Sequence, residues 1–72
     1  PPANFESLRR ESVRALNELL GPEGESIAMK LERAVTAEEL RVLLERAATL
    51  IGSARGAAAA GKFTSRFLEA VA

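Results

Sequence analysis

Apolar residues recur three or four positions apart from Phe5 to Val71, and no stretch alternates apolar with polar side chains as a half-buried strand does. The period is helical throughout. Over residues 5–20, Phe5, Leu8, Val13, Leu16, Leu19 and Leu20 fall within an arc of roughly 140° when each residue turns by about 100°. Glu6, Arg10, Arg14, Asn17 and Glu18 lie opposite. Asn4 stands where a side chain can accept from the free amides of a first turn, and is the expected cap. Arg9 and Ser12 intrude into the apolar arc. The stem of Arg9 is expected to lie over the core edge and Ser12 to bond back to a backbone carbonyl; the alternative is that both line a partner's groove.

The next elements follow from punctuation as much as from period. Gly21 suits the left-handed residue that ends a helix, and Pro22 the first position of the next. A short second helix is expected over 22–34, with Ile27, Leu31, Ala34 and Val35 inward and Met29 pointing elsewhere. "VTAEEL" is the strongest local signal. Thr36 and Glu39 match a capping box, flanked by Val35 and Leu40 at the positions of a hydrophobic staple. Helix three then runs over 37–55 with Leu40, Leu43, Leu44, Ala47, Ala48, Leu50, Ile51 and Ala54 on one stripe and Val42 on the opposite side.

Extending that helix through the alanines would carry Phe63 about 140° away from the stripe anchored at Leu40. A break at Gly56 restores the register, so a fourth helix over 57–71 is expected to bury Ala59, Ala60, Phe63, Phe67 and Ala70, leaving Leu68 about 140° from Phe63. The expected fold is an all-α bundle of four helices (about 5–20, 22–34, 37–55 and 57–71), the second of them short, in a single domain with residues 1–3 as a flexible lead.

Composition narrows the chemistry. The 72 residues contain no Cys, His, Asp, Tyr or Trp. Disulfides and Cys–His zinc sites are therefore excluded, and a carboxylate metal site would need Glu alone. No metal, cofactor or catalytic residue is assigned. A Ser–Lys pair from Ser53 or Ser65 with Lys30 or Lys62 has no motif to fix it, and Glu38, Glu39, Glu45 and Glu69 fit a solvated face beside Arg41, Arg46 and Arg66. Ten Lys and Arg balance ten Glu, which offers no strongly basic body for nucleic acid. No apolar run approaches the roughly 20 residues that span a bilayer. The chain opens Pro1-Pro2-Ala3 without Met and reads as a piece of a longer polypeptide or a processed chain.

Two motifs invite sharper readings. "GAAAAGK", residues 56–62, matches the opening of a phosphate-binding loop. The hydroxyl that should follow Lys62 is replaced by Phe63, the preceding segment is an amphipathic helix, and four alanines favour helix over a glycine-rich cradle. Nucleotide binding is not expected; small residues for close helix packing are. "RRES" at residues 9–12 has the form of a basophilic kinase site, but Ser12 leans toward the buried face.

"LNELLGPEGESIAMKLERAVTAEELRVLL" resembles short helical accessory domains appended to bacterial signalling and regulatory proteins. The residues that carry the resemblance are Leu20-Gly21-Pro22 and Thr36 to Leu40. Glu23 departs from it, standing where that group often has an apolar residue. The resemblance implies a non-catalytic association role and carries over no functional residue.

The function expected from these features is a non-enzymatic, cytoplasmic protein–protein interaction or oligomerisation module of a larger regulatory protein. Its partner is another protein or a second copy, as in a homodimer. Met29, Val42 and Leu68 are the candidate interaction residues, because each departs from the inward stripe of its helix. The alternative is a small helix-turn-helix-like DNA-binding regulatory domain, for which Arg41, Arg46 and Arg55 of helix three or Lys62 and Arg66 beyond it would supply the basic face.

Overall fold

In the computed structural model, which describes residues 3–71, Leu16, Leu31, Leu40, Leu44, Ile51 and Phe67 are sealed from solvent in one core. Helix α1 (Ala3–Leu20) leads through a 3₁₀ turn (Gly21–Gly24) into α2 (Glu25–Arg33). Helix α3 (Ala37–Arg55) follows, and then a C-terminal segment that is α-helical over Ala57–Phe63 and Glu69–Val71 and π-helical over Thr64–Leu68. No strand occurs among the described residues. The all-α class holds. The radius of gyration, 10.9 Å, matches the roughly 11 Å of a packed chain of this length. Pro1 and Pro2, which make up most of the expected lead, lie outside the described residues; Ala3 already belongs to α1.

A bundle of four regular α-helices does not form. Helices α1, α2 and α3 are the long elements among the described residues, and the last stretch changes pitch midway. The break at Gly56 has a definite geometry, φ 100° and ψ 166°, in a region reached almost only by glycine. Gly56 N–H closes α3 on Gly52 O at 3.0 Å, and Gly56 O accepts from Ala60 N–H at 3.2 Å. Phe63 and Phe67 thereby reach the core that Leu40 and Leu44 fill. Beyond Phe63 the bond from Glu69 N–H to Thr64 O spans five residues. A π turn changes the angle per residue, and Leu68 is half-buried against the core while Ala70 is exposed.

Several ends differ from the expectation. Helical geometry is already established upstream of Asn4, so Asn4 sits exposed inside the first turn and is not the cap. The second α-helix starts at Glu25, not Pro22, because the corner winds as a 3₁₀ turn. Tight winding presses buried Gly24 against α1, where an added Cβ would come within 3.1 Å of Leu20 and 3.2 Å of Leu16. Val35, expected inward and as a staple, is 72% exposed. Helix α2 ends at Arg33 and Ala34 is extended (ψ 133°), which swings the next side chain away from the face that buries Ala28 and Leu31.

Thr36 caps α3 as expected: Glu39 N–H donates to Thr36 Oγ1 at 3.1 Å. The return bond goes one residue further out, from Val35 N–H to Glu39 Oε1 at 3.0 Å. Thr36→Ala is expected to remove about 1 kcal/mol of stability, seen as a lower urea midpoint with an unchanged slope. A midpoint equal to that of the parent chain would show that the cap contributes nothing.

Two arginines close helix ends on other elements. Arg9 Nη1 donates to Ala34 O at 2.7 Å, just past the end of α2. Its other amino group pairs with Glu6, and its guanidinium lies 5.8 Å from the Phe5 ring centroid. Arg55 Nε donates to Leu19 O at 2.8 Å in the last turn of α1. Both place positive charge where a helix dipole ends and satisfy a carbonyl that the helix leaves open. Ser12 is fully buried and donates to Arg9 O at 2.8 Å, the back-bond expected of it.

Candidate interaction surface

Met29 and Val42 are among the exposed large apolar residues, at 47% and 37% exposure. Val42 lines a groove of about 430 Å³ between α2 and α3, with Ala34 and Leu43. Met29 and Leu68 do not line it, so the three candidate residues do not form one patch there.

The groove has a rim of both signs: Lys30 and Arg33 on the α2 side, and Glu38, Glu39 and Arg46 on α3. Glu39 is occupied in the cap of α3, and Glu38 pairs with Arg41 at 3.1 Å. Arg41 also reaches Glu45 at 3.2 Å, at spacings of three and four on one helix face. Such exposed pairs are worth only tenths of a kcal/mol. Among the described residues Lys30, Arg33 and Arg46 enter no ion pair.

The other sequence motifs resolve into structure. The four alanines of "GAAAAGK" are helical and Lys62 is exposed. Among the described residues nothing lies within 4 Å of the Cβ position of Gly61, and a Cβ added at Gly52 would meet Ala60 only at an ordinary contact of 3.6 Å, so neither glycine is required by a close helix approach. Ser12, the hydroxyl of the kinase-like "RRES", is sealed inside the fold. Ser53, Ser65, Lys30 and Lys62 are exposed, and no hydrogen bond joins a serine to a lysine among the described residues. No helix among them is long and apolar enough to cross a membrane.

A second groove, between α1 and the C-terminal segment, has no counterpart in the sequence expectations. It is floored by Leu19, Phe63 and Phe67 and edged by Arg55, Lys62 and Arg66. The two rings face each other at a centroid distance of 4.9 Å and a tilt of 55°. The helical stripe pointed to Phe63 and Phe67 as core, but their shared outer edge depends on α1 lying alongside. No family model, curated protein or solved structure matches the chain.

Proposed function

We propose that this chain is a non-enzymatic helical interaction module that pairs with a second copy of itself through the groove between α2 and α3, as part of a larger cytoplasmic regulatory protein. The observation that supports it is the apolar strip at Val42 with a rim of mixed sign. A two-fold contact sets the same patch against itself. Lys30, Arg33 and Arg46 of one copy then oppose Glu38 and Glu39 of the other, and Val42 meets apolar surface at the centre. The accessible surface of the chain is 4458 Å², and a standard interface takes about 800 Å² from each partner. A groove this small supports a weak, concentration-dependent dimer. DNA binding has less support, because the net charge is zero and Arg41 of α3 is held between two glutamates.

Sedimentation equilibrium over a wide concentration range tests the proposal. The parent chain should show a reversible monomer–dimer equilibrium. Val42→Glu should weaken it at least about tenfold, or 1.4 kcal/mol, with unchanged helical circular dichroism. A monomer at every concentration, or a dimer indifferent to Val42→Glu, would overturn it.

A further inference from the structure

The groove between α1 and the C-terminal segment differs in kind from the Val42 groove. Its volume is about 440 Å³, and every charged residue that lines it is a cation: Arg55, Lys62 and Arg66. Two of the three are held in place. Arg55 is anchored on Leu19 O at 2.8 Å. Arg66 lies 4.8 Å from the Phe67 ring centroid and 3.6 Å from Glu11, whose carboxylate stands outside the groove and offsets part of its charge. Lys62 enters no ion pair or side-chain hydrogen bond among the described residues.

A rim of one sign cannot pair with itself across a two-fold axis, because cation would face cation. The complementary surface must be apolar at its centre and anionic at its edges. We propose that this groove binds an acidic amphipathic helix of a partner protein, with apolar side chains over Ala15, Leu19 and Ala59, above the buried rings of Phe63 and Phe67, and carboxylates meeting Arg55, Lys62 and Arg66 at the edges. Helix-in-groove docking uses apolar anchors three and four residues apart, and Lys62 and Arg66 present their charges at the same helical spacing. Gly61, exposed and with open space at its Cβ position, gives the approaching backbone room beside Lys62. Arg55 and Arg66 are held before binding, which reduces part of the ordering cost of association.

The test is an NMR titration of the isotope-labelled chain with a synthetic amphipathic helix of leucine, alanine and glutamate. The same peptide with lysine for glutamate, and phosphatidylglycerol vesicles, serve as comparisons. Saturable shifts at Leu19, Ala59, Phe63 and Phe67 are expected with the acidic peptide alone, and they should weaken with added salt. Lys62→Glu, at an exposed position, should lower affinity at least about tenfold, as like charges are brought together at the rim. Val42→Glu should leave peptide binding unchanged, which separates this groove from the self-pairing surface. The proposal is overturned by an absence of saturable shifts, by equal binding of the lysine peptide, or by shifts confined to the α2–α3 groove. Vesicles that shift these residues when the acidic peptide does not would also overturn it, assigning the groove to anionic lipid.

Discussion

Phe67→Ala is expected to lower the unfolding free energy by about 3–5 kcal/mol. The ring is only 1% exposed, lies 4.9 Å from the Phe63 ring and has the Arg66 guanidinium over it. Removing it takes away the transfer energy of the ring and leaves a void that the helices can only partly close. A chain of 72 residues has a total stability of roughly 4–11 kcal/mol at typical values per residue. The substitution would remove a large part of that, and no disulfide shares the load. Urea unfolding followed by circular dichroism measures it, with Phe67→Leu, which removes less volume, as the comparison expected to lose less. A loss below about 1 kcal/mol for Phe67→Ala, the scale of an ordinary surface change, would mean that the C-terminal segment is not packed as described.

Gly56→Ala should cost about 1–3 kcal/mol, the range for a residue forced into a sparsely populated backbone region. Nothing lies within 4 Å of the Cβ position, so the cost comes from φ 100° and ψ 166° and not from crowding. Alanine also favours straight continuation of α3 into the alanines that follow. That continuation would turn Phe63 and Phe67 out of the core, so the chain is expected to keep the break and carry the strain. D-alanine at the same position, introduced by chemical synthesis, has the opposite backbone preference and should be tolerated without loss. Equal destabilisation by the two enantiomers would refute strain as the cause.

The features legible in the sequence were those set by neighbours along the chain. Thr36 and Glu39 are three residues apart, and the hydroxyl–amide bond follows from that spacing. The stop at Gly56 follows from the phase between Leu40 and Phe63. What the sequence did not disclose depends on elements brought together by folding. The 3₁₀ winding of Gly21–Gly24 reflects contact with Leu16 and Leu20, and the outward turn of Val35 reflects where α2 ends. The π turn moved Leu68 from its expected outward position because it changes the angle per residue, which a fixed helical period cannot anticipate. For the surface, the exposure of Met29 and Val42 was readable as departure from a stripe. The grooves were not, since a groove needs two helices and the sequence shows one at a time. From the sequence Arg55 was legible only as part of a basic face, because its acceptor, Leu19 O, is 36 residues away.

Those arginine bonds bear on how the molecule opens. A helix end in isolation frays turn by turn, at little free energy and without consequence for its neighbours. Here the last turn of α1 is tied to the last turn of α3, and the residue that follows α2 is tied to the middle of α1. Loosening any one of these ends releases a guanidinium from a second element and leaves a carbonyl without its donor. The opening units therefore join ends from different parts of the chain, and amide exchange near Leu19 is expected to follow that near Arg55, as exchange near Ala34 follows that around Arg9.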